Sequence, residues 1–371
     1  MRILYIVTSL GVGGAERQTI ALAERMALRG HTVAILTLKH VDEELPVRLP
    51  VLRLNLAKTP FGIQRGLKFA AGFLAAFRAD IVHSHTFPAN LFARLLRRQM
   101  DDEDEPPVIV NTIHNVYEGG WHRRLLYRFT EQWVDAITAV SEAAAAAHAR
   151  GCGVERETIA VITNGIETDE YSPDGRRRAH TRSLMGAGEN FIWLAVGRLA
   201  PAKDYPNLLR AWLTVREEYP AARLWIAGEG DAAVVAEQAV SLDNAEREGV
   251  EWLGLRRDIR DLLDAADGYV LSSAWEGMPL AVAEAMAMGK AIVATQVGGV
   301  GELLADAGLL VQPNDSAALA RAMVAVMRMD AGRRLEMGVR AQARAQDHFS
   351  LGAAVDTWES LYESLVGQEI S

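Results

Sequence analysis

The chain has 371 residues, 50% hydrophobic and 23% charged, with a net charge of -9. That is the profile of a globular protein long enough for two cores, and its acidity argues against nucleic-acid binding, where phosphate contacts need clustered cations. A single cysteine, Cys152, excludes an internal disulfide and a cysteine-rich metal cluster and fits a reducing compartment.

The apolar start at 3–7 is too short for a signal-peptide core, and no stretch approaches the roughly 20 apolar residues of a spanning helix. The expectation is a cytoplasmic protein that is not integral to a membrane. Charge is shared unevenly: residues 1–172 carry -1 and the remainder -8. Any attraction to an anionic membrane therefore has to come from the first half.

In chain order, short β-rich runs at 3–9, 32–38, 51–56, 81–85, 108–114, 136–140 and 159–163 alternate with amphipathic segments. Strands interleaved with helices imply a parallel, doubly wound α/β sheet. After the first run comes Leu10-Gly-Val-Gly-Gly-Ala-Glu16, where Gly13 and Gly14 let the backbone approach a bound group. A dinucleotide fingerprint needs a third glycine where Glu16 stands, and no acidic residue closes the second run. A plain strand-to-helix turn remains an equal reading.

His83 and His85 lie on one side of the fourth run, with a structural or acceptor-site role favoured over metal binding because spacing offers no third ligand. His114 ends the fifth run and stands where a ligand would bind. Between them, Asp102-Glu-Asp104 matches the D-x-D pattern of metal-dependent sugar transferases. It sits inside an unbroken acidic run before Pro106-Pro107 and reads as a solvated loop, so no metal is expected. Segments 61–78, 94–98 and 121–128 mix apolar and basic residues. Each suits either an anionic membrane surface or a core-facing helix with a basic outer side.

The Arg-rich stretch 171–190 has little apolar periodicity and reads as a linker, placing a first domain at 1–172 and the linker at 173–190. The alternation restarts at 191–196 and continues through 223–227, 250–253, 268–272, 291–295 and 308–311, a second doubly wound domain over 191–350. Segments 317–329, 331–348 and 351–366 have helical composition with no strand between them. Two such domains imply a cleft between them as the ligand site.

In the second domain, Arg198 and Lys203 follow the first run, where a guanidinium and an ammonium could neutralise a diphosphate. Gly228-Glu-Gly230 ends the next run and again allows close backbone approach. The richest stretch is 272–289, SSAWEGMPLAVAEAMAMG. Glu276 falls on the loop after a buried strand and Glu284 about one turn into an otherwise apolar helix. Two carboxylates so placed suit two polyols, a sugar and a ribose.

Together these motifs resemble retaining glycosyltransferase family 4. The resemblance runs from Gly13-Gly14-Ala15-Glu16 through Ser141-Glu142, Asn164-Gly165-Ile166, Gly197-Arg198-Leu199, Lys203-Asp204, Gly228-Glu229-Gly230 and Leu253-Gly254. Its strongest block is Glu276-Gly-Met-Pro-Leu280 with Glu284, Gly289 and Val297-Gly-Gly299 to Glu302, which matches the family's E-x7-E signature. It implies the GT-B fold, two Rossmann-like domains with the last segment, 351–371, crossing back to the first.

The resemblance also implies roles. Arg198 and Lys203 bind the donor diphosphate, and Glu284 binds the ribose. Glu276 and the backbone of Gly277, Met278, Pro279 and Leu280 bind the transferred sugar. His114 lies near the reacting sugar, Gly13 and Gly14 close on the diphosphate, and Leu255 and Arg256 flank the base.

The implied activity is metal-independent transfer, without a cofactor, of a hexose or N-acetylhexosamine from a nucleotide sugar. A UDP-sugar is favoured as donor, and the acceptor is a glycan or lipid-linked saccharide of the cell surface. The enzyme would work in the cytoplasm, with contact to the anionic inner membrane as one of the two readings of its basic segments. A sugar-nucleotide epimerase, a soluble disaccharide synthase and a catalytically silent sugar-nucleotide-binding protein stay open. A nicotinamide dehydrogenase is disfavoured by Glu16.

Overall fold

The computed structural model describes residues 1–100, 106–117, 119–230 and 249–368. It divides into two units, Met1–Gly165 with Leu351–Ser371, and Ile166–Ser350.

The first unit is built on β1 (Arg2–Val7), β2 (Thr32–Thr37), β3 (Val51–Arg53), β4 (Ile81–His85), β5 (Val108–Ile113), β6 (Ala136–Ala139) and β7 (Ile159–Val161). They form a parallel sheet in the order β3-β2-β1-β4-β5-β6-β7. The strands are near-continuous apolar runs because helices cover both faces. Side chains of β1 alternate accordingly. Ile3, Tyr5 and Val7 pack with the helix Gly14–Leu28 and with Leu351, Val355, Trp358 and Tyr362 of the helix Leu351–Gln368. Leu4 and Ile6 pack with the helices Pro60–Phe77 and Phe87–Arg98.

The second unit holds β8 (Ile192–Val196), β9 (Arg223–Ala227), β10 (Val250–Gly254), β11 (Gly268–Leu271), β12 (Ala291–Thr295) and β13 (Leu309–Val311), parallel in the order β10-β9-β8-β11-β12-β13. In both sheets strand order reverses beside the first strand, between β1 and β4 and between β8 and β11. The carboxyl ends of those strands are where open α/β sheets bind ligands.

One stretch departs from the sequence reading. Within 173–190, expected as a linker, Gly175–Leu184 is a helix capped by Asp174. Ion pairs and carbonyl contacts hold it where apolar periodicity does not. Arg177 pairs with Asp264, and Arg178 and Arg182 pair with Asp267. Arg178 Nη1 also donates to the carbonyls of Asp264, Ala265 and Ala266 at 2.8–3.0 Å, which closes the end of the helix Ile259–Ala265. The acidic run containing Asp102 and Asp104 lies outside the described residues.

Candidate active site

The second unit's reversal point assembles a compact polar site. After β8 the chain turns through Gly197 and Arg198 into a short 3-10 turn, Pro201–Lys203, and after β11 it passes through Ser272 and Ser273 to Glu276. Lys203 Nζ donates to Glu276 Oε1 at 2.5 Å and Ser273 Oγ donates to the same oxygen at 2.6 Å. Two donors thus converge on Oε1, leaving Oε2 without a hydrogen-bond partner among the described residues. An ammonium has three donors, so Lys203 keeps capacity for a further anion.

The loops around this pair are tied down by their backbones. Ser272 Oγ donates to Lys203 O and Ala274 N to Ala202 O, which locks the two turns together. Thr295 Oγ1 donates to Ser273 O, and Gly299 N to Gly277 O. Gly298 has φ 51°, and a Cβ there would stand 2.0 Å from Glu276 O, so only glycine lets this strand of loop press against the Glu276 turn. Gly228 is equally constrained, with φ 157° and a virtual Cβ 1.9 Å from Gly197 O. Beneath the turn, Tyr205 OH donates to Gly197 O at 2.7 Å. Burial, with the Glu276 charge nearby, keeps that phenol protonated.

The other predicted positions spread around this centre. Arg198 is exposed and makes no side-chain hydrogen bond or ion pair among the described residues. Gly277, Met278, Pro279 and Leu280 are buried and lead into the helix Leu280–Ala287, which carries Glu284 at 1% exposure. A carboxylate so buried is costly unless it serves an interaction. Leu255 and Arg256 follow β10, and Arg256 is held by Asp258 at 2.5–2.7 Å rather than extended.

The first unit's reversal point is also polar. His114 follows β5, half-buried, and its Nε2 is 2.8 Å from His85 Nδ1 at the end of β4. Burial pushes the His114 imidazole down to about 4, so it is neutral near pH 7. Thr8 and Thr86, which follow β1 and β4, meet at 3.1 Å through their hydroxyls. Thr86 adopts φ 70° and ψ 157°, a conformation otherwise nearly confined to glycine and a store of backbone strain at this end of the sheet. Gly13 caps the helix Gly14–Leu28, and the Glu16 carboxylate folds back over it, so that a Cβ on Gly13 would lie 2.2 Å from Glu16 Oε2. The glycine turn thus presents a helix end that already carries its own carboxylate.

Comparison with known proteins decides the family. Residues 12–170 match the family model described as Glycosyltransferase Family 4, and residues 190–329 match Glycosyl transferases group 1. The chain pairs a glycosyltransferase family 4 domain with a glycosyl transferases group 1 domain. Among curated relatives of this glycosyltransferase, the UDP-Gal:alpha-D-GlcNAc-diphosphoundecaprenol alpha-1,3-galactosyltransferase of Escherichia coli is 27% identical over 67% of this chain and 66% of its own. The D-inositol 3-phosphate glycosyltransferase of Corynebacterium urealyticum is 28% identical over 87% of this chain and 76% of its own. The alignments span about two thirds to three quarters of these relatives. The crystal structure of Anabaena Alr3699/HepE in complex with UDP-glucose superposes with a TM-score of 0.85 at 22% identity, covering 98% of this chain and 100% of that one, a likeness of fold.

Several residues of these two polar clusters escape a reading by spacing. Ser273, Thr295 and Gly298 act through contacts with Glu276 and its loop that no linear pattern displays, although the paired glycines after β12 hint at a tight approach. The pairing of His85 with His114 depends on parallel register, which sets His85 beside Thr112 and leaves His114 two residues further on the same side. His83, by contrast, is structural: its nitrogens meet Tyr362 OH and Thr112 Oγ1, both at 2.6 Å. Among the described residues no three His, Cys, Asp or Glu side chains are grouped to hold a metal ion.

Proposed function

We propose that this glycosyltransferase moves a hexose or N-acetylhexosamine from a UDP-sugar to a glycan or lipid-linked saccharide in surface polysaccharide assembly. In this reading it acts without a metal and keeps the anomeric configuration. The observation that carries the reading is the Lys203–Glu276–Ser273 cluster at the strand reversal of the second unit. A carboxylate oxygen is left open there for sugar hydroxyls, beside cations for a diphosphate. The donor class is supported by the E. coli relative, whose name specifies UDP-galactose and a diphospholipid-linked acceptor.

In the proposed step the bond from the anomeric carbon to the diphosphate oxygen breaks and one to the acceptor oxygen forms on the same face, while the acceptor's proton passes to the departing phosphate. Negative charge grows on that phosphate, so Lys203 and Arg198 lower the barrier most in the transition state. Glu284 holds the ribose, Glu276 with the Gly277–Leu280 backbone holds the transferred sugar, and Leu255 and Arg256 flank the base. His114 serves the reacting sugar and the Gly13–Gly14 turn the diphosphate. Lys203→Ala and Arg198→Ala should each cost about 2–4 kcal/mol of transition-state stabilisation. Steady-state kinetics with a panel of UDP- and GDP-sugars, with and without EDTA, test this. Unchanged kcat/KM in both variants, or strict dependence on added Mg2+ or Mn2+, overturns it.

The membrane-facing part of the proposal rests on the helix Trp121–Phe129. Trp121 is 73% and Phe129 69% exposed, with Leu125 between them on the same stripe and Arg124 and Arg128 beside it, and the helix holds no acidic residue. Segment 94–98 drops out, because Arg94 is fully buried and donates to Asn111 and Tyr127 O. No helix among the described residues is long and apolar enough to cross a membrane. Sedimentation with anionic but not neutral vesicles, lost in Trp121→Ser/Phe129→Ser, is the expected result. Indifference to lipid charge removes this part.

A further inference from the structure

The pair His85–His114 has a property that follows from counting protons. His85 is 2% exposed, its ring lies 4.1 Å from that of His83 and 5.1 Å from that of His114, and Tyr5 stacks on it at 6.0 Å. Burial, reinforced for His83 and His85 by the neighbouring imidazoles, holds all three below the usual histidine range. Each ring is therefore neutral near pH 7 and carries one N–H. His83 cannot help its neighbour, since Tyr362 and Thr112 already occupy both its nitrogens.

One proton lies in the 2.8 Å contact between His85 Nδ1 and His114 Nε2. If His114 supplies it, the proton of His85 must sit on Nε2, which is buried and has no hydrogen-bond partner among the described residues. If His85 supplies it, Nε2 is left as a bare lone pair. A buried N–H with nothing to donate to is the rarer and costlier defect. The ring cannot simply be turned over, because that replaces Nδ1 by a carbon and destroys the contact with His114.

We infer that His85 is a positioning residue: it donates from Nδ1 to His114 Nε2, fixing the ring and tautomer of His114 so that Nδ1–H of His114 is a hydrogen-bond donor to the sugar or phosphate oxygen. His114 is then a neutral donor and not the base that takes the acceptor's proton. The role at the reacting group rests on the function proposed above, whereas the tautomer does not.

Imidazole 15N–1H correlation spectra of the full-length protein near pH 7, assigned with His114→Gln and His85→Asn, read the tautomer directly. The expected result is a protonated Nδ1 on His114, kept in His85→Asn, whose amide N–H takes the place of Nδ1, and lost to a mixture in His85→Leu. Turnover in His85→Leu should fall about 10–100-fold with little change in KM for the nucleotide sugar, and His85→Asn should recover most of it. A protonated Nε2 on His114 in the unmodified protein overturns the inference, and that spectrum decides it even where His85→Leu does not fold. Spectra as expected combined with full turnover in His114→Ala uphold the tautomer and overturn the placement of His114 at the reacting group.

Discussion

At the scale of single residues, glycine and histidine do more here than their size or charge suggests. Gly298 is where two loops of the second unit touch, and its φ of 51° and the 2.0 Å approach of a virtual Cβ to Glu276 O leave no room for a side chain. Gly298→Ala should therefore displace the Glu276 turn and lower kcat/KM at least about tenfold, with far-UV circular dichroism unchanged. A variant with normal kinetics would show that the loop yields without moving Glu276. His148, buried against the Tyr127 ring, is pushed down to about 4 by burial and by the Arg94 charge. An unfolded histidine takes its proton near about 6.5, so between these values the unfolded chain holds more protons and stability falls as pH drops. His148→Gln should lose less of its urea midpoint between about pH 7.5 and 5 than the parent, with His114 accounting for part of what remains. Glu276, Lys203 and His114 are visible in a sequence because each follows a recognisable strand. What Ser273, Gly298 and His85 touch is not legible there, because their partners arrive from other strands.

Elements show the same division between local and non-local information. Every strand of both sheets stands out in the sequence: the inner strands, buried on both faces, are apolar runs bounded by small or polar residues, and the partly buried edge strands β3, β10 and β13 are shorter or more mixed. The helix Gly175–Leu184 does not, because its stability is borrowed from the end of another helix. Arg178 reaches all three carbonyls that end the helix Ile259–Ala265, sharing two of them with Lys290 Nζ at 3.1 Å and the third with Arg182 Nη1 at 2.8 Å. Composition cannot reveal such an anchor, and an Arg-rich segment without periodicity looks unstructured. Arg178→Ala should destabilise the second unit by about 1–3 kcal/mol, read as a shift in urea midpoint without a change in slope. Arg178→Lys should recover little, because an ammonium lacks the planar fork that spans several acceptors. Recovery by lysine would mean that charge at the helix end, and not the geometry of the fork, holds the element.

At the scale of the molecule, each unit owns a separate apolar core. In the first, Trp358 and Tyr362, 3% and 0% exposed, join strands more than 250 positions earlier in the chain, and Tyr362 OH reaches both Tyr5 and His83. In the second, Trp212 is 1% exposed and packs with Trp193, Leu224 and Val293. The helix Leu351–Gln368 thus completes a core begun by β1, although the whole second unit intervenes in sequence. Truncating a buried tryptophan to alanine costs about 3–5 kcal/mol, and for units of this size each kcal/mol lowers a midpoint by about 2–4 °C. Trp358→Ala should therefore lower one calorimetric transition by roughly 6–20 °C and leave the other in place, while Trp212→Ala does the reverse. The assignment of each transition can be checked with intrinsic fluorescence of the same variants. If either substitution moves both transitions together, the two cores unfold as one cooperative body, and the division of the chain at Gly165 and Leu351 does not describe its thermodynamics.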